Sequence, residues 1–335
     1  MKYIIVGGGP TGLSLAYALA LNHIEIDIIE KDTQLGGSWN SQWIEGKYFS
    51  ENSPRVFSYH GNTKKLMNHI GMTNKDFADI YGNFFQTNLK FFYFIYKFFE
   101  LKDYFIFLLA SIKYKFIREN ITLQTWLDQS NMSLSGKKAV KILSILVCDT
   151  PSNTNINDFF GTINLASFKQ MREPNKWHEL IALALNYLPH VHVYKNTTVV
   201  NILHELNSTE VIGVQIRHNK TKLQQMRYGD RVVLCTQSSG IAPILDNSSI
   251  MVKYNWKDFG SLNYWSKNTY YSGFGFQLHF KEKIEFPSQW CWSCVGSWTV
   301  IILPVSNWLK TYSKDPLVQT VWSCCIVDLE SMSKA

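Results

Sequence analysis

Apolar residues follow two clear patterns along the chain. Near the amino terminus Tyr3, Ile4, Ile5 and Val6 form an unbroken run, as expected of a parallel strand covered on both faces. Beyond a glycine cluster, Leu13, Ala16, Tyr17 and Ala20 recur at helical spacing, so the order is strand, tight turn, helix. Ile24, Ile26, Ile28 and Ile29 then mark a second strand that ends at Glu30. Alternation in Val199, Asn201 and Leu203, and in Val211, Gly213, Val214 and Ile216, predicts a hairpin turning near Asn207 and Ser208. Between these regions, Lys90 to Ile117 is intensely aromatic and reads as an amphipathic helical pair burying its rings against a sheet. Its longest uncharged run, Tyr104 to Ile112, falls short of the roughly 20 residues needed to cross a bilayer. "TLQTWLDQ", Thr122 to Gln129, opens a further helix.

The turn after the first strand carries the first candidate chemistry. Gly7, Gly9 and Gly12 stand at G-x-G-x-x-G positions, with Pro10 and Thr11 between them at the helix start. The first glycine turns the chain, the second admits a pyrophosphate to the backbone and the third lets helix pack on strand. Free amides at the start of the helix then face the phosphates. Glu30 lies 23 residues after Gly7 and is placed to accept hydrogen bonds from a ribose diol, with Lys31 following it. A carboxylate there disfavours NADP.

After Glu30 the chain reads "KDTQLGGSWNSQWIEG", with a second glycine pair at Gly36 and Gly37 followed by Ser38 and Trp39. Here, and again over "HVHVYKNTTVVNILHELNSTEVIGVQIRHNK" and "GDRVVLCTQSSGIAPIL", the sequence resembles the flavin-containing amine oxidase superfamily, which includes protoporphyrinogen oxidases and phytoene desaturases. "ENSPRVFS" is similar to the family's approach to the isoalloxazine, and "LMNHIGM" to its next helix. The resemblance implies an α/β protein with a Rossmann-like FAD-binding domain, discontinuous over residues 1–78 and 169–247. An α+β substrate domain of helices and a mixed sheet would occupy 79–168 and 248–335. It also implies noncovalent FAD, held by Gly7, Gly9, Pro10, Thr11, Gly12, Glu30, Lys31 and the Gly36, Gly37, Ser38, Trp39 stretch. By the same resemblance the backbone at Val199 meets the adenine, and Thr236 lies near the flavin end.

The implied activity is oxidation of a substrate C–N or C–C bond, a hydride equivalent passing to flavin N5. "SGFGFQLHFKEKIEF" looks like the family strand beside the flavin's reactive edge, where many amine oxidases carry a lysine; an ungapped overlay puts Gly275 there. His279 on the same strand is the candidate base, although a lone histidine on an alternating strand is more often structural. Relatives close with a third FAD-domain segment, whereas this chain stops at "CIVDLESMSKA". That departure leaves a fragment, a completing chain, a homo-oligomer or weak cofactor binding open. A noncatalytic binding protein of the Rab escort and GDP-dissociation-inhibitor kind is one alternative. Flavin monooxygenases share the "GGSW" pattern, but the second G-x-G-x-x-G they need for NADPH does not follow Trp39. A plain NAD-dependent dehydrogenase would alternate strand and helix directly after Glu30.

Composition narrows the partners. A net charge of +7 over 335 residues, with no localised basic stripe, gives no reason to invoke nucleic acid. The partner expected is a small apolar or amine substrate, and the aromatic stretch keeps membrane-surface contact open. Cys148, Cys235, Cys291, Cys294, Cys324 and Cys325 lack the dense spacing of a disulfide scaffold. "WCWSC" resembles a thioredoxin-like site but lacks the surrounding βαβ unit, and no metal site is expected. The nucleotide strand begins at Lys2 with no apolar leader ahead of it, so a cytoplasmic location, with a peripheral membrane contact as the variant, is the expectation. Trp265, Trp290, Trp292 and Trp298 are expected to line a substrate-facing sheet.

Overall fold

The computed structural model describes residues 1–50, 55–57, 61–79, 99–144, 150–163, 168–206, 208, 210–248, 274–285, 292–295 and 299–326. Most of "ENSPRVFS", residues 90–98, Asn207, Cys148, Cys291, Trp265, Trp290 and Trp298 lie outside them. In chain order the elements are β1 (Lys2–Val6), α1 (Pro10–Ala20), β2 (Glu25–Ile29), β3 (Trp43–Ile44), β4 (Tyr48–Phe49), β5 (Arg55–Phe57), α2 (Gly61–His69) and β6 (Phe77–Asp79). Four helices follow, α3 (Leu101–Phe116), α4 (Leu123–Gln129), α5 (Leu134–Ser144) and α6 (Ile156–Ile163). Then come β7 (Phe168–Met171), α7 (Lys176–Asn186), β8 (Val191–Tyr194), β9 (Thr197–His204), β10 (Val211–His218), β11 (Gln224–Tyr228), β12 (Arg231–Leu234) and α8 (Ser238–Asn247). The last strands are β13 (Phe274–Phe280), β14 (Trp292–Val295), β15 (Thr299–Leu303) and β16 (Thr320–Ile326).

The central sheet is parallel, in the order β12-β1-β2-β8. Ile5, Ile26 and Ile28 pack with Leu13 and Ala16 of α1 and with Trp177, Ile181 and Leu185 of α7. Ile4, Val6 and Ile29 face the other way, into a core with Ile202, Val214, Ile216, Ile244 and Leu245. Both faces are therefore covered, which is why the run in β1 is continuous rather than alternating. Ile4, Ile5, Ile26 and Ile28 are wholly buried, and each contributes roughly 1.5–3 kcal/mol of apolar burial. The expected hairpin is β9 and β10, closed where the Glu205 amide donates to the Glu210 carbonyl, and β11 adds a third antiparallel strand.

The aromatic helix differs from its expectation. Its rings bury against other helices rather than a sheet: Phe107 lies 5.2 Å from Phe160, and Tyr114 stacks on Phe160 at 5.6 Å. Phe159 and Phe160 stand side by side on α6 and fill a helical core with Leu123, Leu127, Ala139 and Val140. Asp103 ties this cluster together. Its carboxylate accepts from the Glu100 amide at 2.9 Å, the Ser133 amide at 2.8 Å and the Ser133 hydroxyl, so one buried group caps α3 and holds the start of α5. The outer face of α3 leaves Leu101, Phe105, Leu108, Ile112 and Phe116 exposed. No helix among the described residues is long and apolar enough to cross a membrane.

Among the described residues three further sheets occur, the smallest being the antiparallel pair β3–β4. β5, β7 and β6 form an antiparallel sheet in that order, and β13-β16-β15-β14 form another. The α/β class, with its parallel sheet and glycine-rich first turn, agrees with the sequence.

Candidate functional site

The site is built where β1 meets α1. Gly7 has φ +105°, and a β-carbon there would lie 2.9 Å from the Cys235 carbonyl oxygen. At Gly12 the conflict is worse, 1.9 Å from the Gly7 carbonyl oxygen. The protein's own backbone thus demands these two glycines. Gly9 is different. Among the described residues nothing lies nearer than 3.8 Å to a β-carbon placed there, an ordinary contact with Gly37. Gly9 also begins α1, Pro10 follows without an amide hydrogen, and no side chain caps the amides of the first turn.

The second glycine pair closes over the first. The Gly36 amide donates to the Gly8 carbonyl at 2.8 Å, and a β-carbon on Gly37 would lie 2.9 Å from the Gly9 Cα. Gly36 and Gly37 have φ +109° and +53°, conformations that suit glycine. Ser38 is exposed and Trp39 half-buried in the short 3-10 turn that follows. Glu30, 5% exposed, directly follows β2 and accepts from the Gly8 amide at 2.6 Å and the Asp32 amide at 2.9 Å. The structure brings together Gly7, Gly9, Pro10, Thr11, Gly12, Glu30 and Gly36 to Trp39.

Of the other expected residues, Lys31 is exposed and its carbonyl accepts from the Asn219 side chain at 2.8 Å. That bond, with the Thr197 amide donating to the Glu30 carbonyl, brings the β9–β10 hairpin to the end of β2. Val199 is buried in β9 in the same core as Ile29. Thr236 adjoins Gly7, and its buried hydroxyl oxygen has no hydrogen-bond partner among the described residues. His279 is elsewhere. It lies on β13, where its Nε2 meets Gln277 at 3.1 Å while Gln277 donates to the Phe49 carbonyl. Burial lowers its pKa, and the charge of Asp315 acts in the opposite sense. Cys235 is a half-buried thiol, and no group of metal-ligating side chains occurs among the described residues.

Sequence reading missed Trp177 and His178, adjacent on α7. Trp177 is 2% exposed and meets Trp39 edge-on at 5.0 Å. His178 packs against Gly36, whose β-carbon would lie 2.8 Å from its Nδ1. Their only sequence signal was helical spacing with Ile181 and Leu185, which marks core. Burial, aided by the positive charge of Lys195, lowers the His178 pKa to about 4. The folded protein therefore resists a proton that the unfolded chain accepts near pH 6.5, so stability present at neutral pH is lost as pH falls through that range. From pH 7 to 5.5 the wild type should lose about 1.2 kcal/mol more than His178→Gln. Denaturant titrations at the two pH values measure this, and equal losses in both proteins would refute it.

These features define an α/β protein whose parallel sheet begins with a glycine-rich strand, turn and helix, and comparison with known proteins places its fold. Residues 5–70 match the family model of the NAD(P)-binding Rossmann-like domain. No curated protein matches the chain. Among solved structures, an oxidoreductase from Methanosarcina mazei is similar with a TM-score of 0.68 at 13% identity, over 100% of this chain and 81% of that one. A putrescine oxidase variant aligns with a TM-score of 0.61 at 13% identity, over 100% and 77%. A candidate protoporphyrinogen oxidase from Exiguobacterium sp. 255-15 gives 0.61 at 12%, over 100% and 81%. The chain shares the fold of these three solved structures.

Proposed function

We propose that this protein binds FAD noncovalently and is an oxidoreductase of the amine oxidase type, acting on a C–N or C–C bond of an apolar or amine substrate. The observation that carries this reading is Gly9, where, unlike at Gly7 and Gly12, a β-carbon would make only ordinary contact with the described residues, 3.8 Å from the Gly37 Cα. The unpartnered Thr236 hydroxyl beside Gly7 fits the same group. In this reading the Gly7 to Gly12 turn and the first amides of α1 take the pyrophosphate. Glu30 takes the ribose diol, and its charge repels a 2′-phosphate. The Val199 backbone lies at the adenine, Lys31 and Gly36 to Trp39 flank the nucleotide, and Thr236 lies toward the flavin. Bound there, FAD supplies the acceptor for a hydride equivalent from substrate carbon, while the protein orients it and limits access of water. The likeness to a putrescine oxidase supports an amine substrate, and the likeness to a candidate protoporphyrinogen oxidase a larger apolar one.

The visible absorption spectrum of the purified, desalted protein tests the reading. Flavin bands that copurify, and FAD released on denaturation, are expected. A colourless protein that takes up no added FAD would overturn the cofactor assignment. If flavin is present, bleaching of its bands under anaerobic conditions by a diamine or a porphyrinogen distinguishes the substrate classes.

A further inference from the structure

Helix α3 is apolar on two opposite sides. With successive residues about 100° apart around the axis, Asp103, Phe107, Ala110 and Tyr114 fall together on one side, and all are buried. Phe107 and Tyr114 pack there on Phe160 of α6. Leu101, Phe105, Leu108, Leu109, Ile112 and Phe116 fall on the other side, and each is more than half exposed. They share a sector about 100° wide, centred opposite the buried side chains. The helical core explains the first face and leaves the second in water.

An apolar stripe this regular on a water-facing surface marks a contact surface, and its borders indicate with what. Lys102 and Lys113 edge the stripe on one flank and Lys115 on the other, all exposed, and Arg118 follows just beyond the helix. The one acid of α3 is Asp103, buried on the far side. Glu100 and Glu119, just outside the two ends, stand 3.2 Å from Lys102 and 2.6 Å from Lys113. Such surface pairs are weak and yield to competing anions. A second copy laid face to face on the stripe would set these lysines against their own kind, with no acid on α3 to meet them. An anionic lipid surface suits both features. Acyl chains cover the stripe, and the lysine stems reach from its edges to the headgroup phosphates. At 16 residues the helix is too short to cross the bilayer, which leaves it lying in the interface plane.

We propose that the outer face of α3 docks the protein on an anionic membrane, with Phe105, Leu109 and Phe116 among the acyl chains and Lys102, Lys113 and Lys115 at the headgroups. The inference is independent of the cofactor reading. It gives the exposed stripe and its cationic borders a single cause.

Flotation of the full chain with vesicles of phosphatidylcholine alone, and of phosphatidylcholine and phosphatidylserine in equal parts, tests it. Wild type should bind the anionic vesicles, less tightly as salt is raised, and the neutral ones far less. Phe105→Ser combined with Phe116→Ser should weaken that binding roughly a hundredfold or more, because both rings otherwise leave water for the acyl region. Lys102→Gln combined with Lys115→Gln should weaken it roughly tenfold or more. Both variants should melt with wild type, since the altered side chains are exposed. Wild type that ignores anionic vesicles, or binds neutral ones equally well, overturns the proposal. So does binding that either variant leaves unchanged. A lipid-free dimer, seen by light scattering, that the phenylalanine variant dissociates would assign the stripe to a second copy instead. Should that variant fail to fold, the lysine variant decides, with tenfold weaker binding supporting the proposal and unchanged binding overturning it.

Discussion

Gly12→Ala should cost about 3–4 kcal/mol of folding stability, whereas Gly9→Ala, three residues earlier, should cost about 1 kcal/mol or less. The added methyl at position 12 would stand 1.9 Å from the Gly7 carbonyl oxygen and 3.3 Å from the Ile5 side chain. The first neighbour is backbone and has little room to retreat. The Gly7 amide is bonded to the Ile29 carbonyl at 2.8 Å, and the Leu13 amide to the Gly9 carbonyl at 2.9 Å, so both ends of the turn are fixed. Relief requires α1 to lift from the sheet, opening the packing of Leu13 and Ala16 on Ile5. A domain stable by 5–15 kcal/mol would lose a large share of that margin. At Gly9 the methyl meets only the Gly37 Cα at 3.8 Å, ordinary contact, and the remaining cost is the weaker capping of an alanine. The same methyl occupies the space assigned to the pyrophosphate, so Gly9→Ala should weaken dinucleotide binding roughly a hundredfold, as loss of close backbone approach implies. Urea denaturation and cofactor titration of the pair separate the two effects. Equal destabilisation by both substitutions would contradict this account of the turn.

Asp103→Ala should be nearly as damaging, at about 3 kcal/mol, though it lies far along the chain from the glycine turn. Truncation strands the Glu100 amide and the Ser133 amide and hydroxyl, all of which Asp103 now serves from a fully buried position. Burial alone would raise the carboxyl pKa, but hydrogen bonds from the Ser133 hydroxyl and amide and from the Glu100 amide outweigh it and hold the pKa below the usual range. The sign follows from linkage. A depressed carboxylate contributes stability that is fully present above its unfolded pKa, about 3.9, and disappears as pH falls through the lower folded value. Urea midpoints at neutral pH and near pH 3 should therefore converge between wild type and Asp103→Asn as acid is added. An acid dependence identical in the two proteins would show that Asp103 contributes no such term.

The cradle was legible where one local pattern decides the structure. Gly7, Gly9 and Gly12 followed an apolar strand and preceded a helical repeat, and Glu30 ended the next strand, so spacing alone placed all four. The β9–β10 hairpin was legible for a similar reason, since alternation fixes which face is buried. Pairings between distant short segments were not. β5 and β6 are three residues each, and their partner β7 lies far along the chain, too short for periodicity to register. Trp177 and His178 were hidden because a helical apolar stripe looks alike whether it packs on another helix or on a glycine turn. The aromatic stretch showed that a helix was coming, but α6, which receives its rings, has no distinguishing mark besides the Phe159 and Phe160 pair.

The antiparallel pairing of β6 with β7 sets Ala78 opposite Gln170 and Asp79 opposite Lys169. The chain thus departs toward α3 through one strand and comes back from α6 through its hydrogen-bonded neighbour. Both ends of the excursion are anchored at a single rung of a ladder, whatever its length. Closing a longer excursion there is inexpensive, since each doubling of a flexible loop adds only about 0.6 kcal/mol. The helices between these strands are in effect a cassette. They can be lengthened, shortened or exchanged while the rung that seats them and the parallel sheet stay as they are.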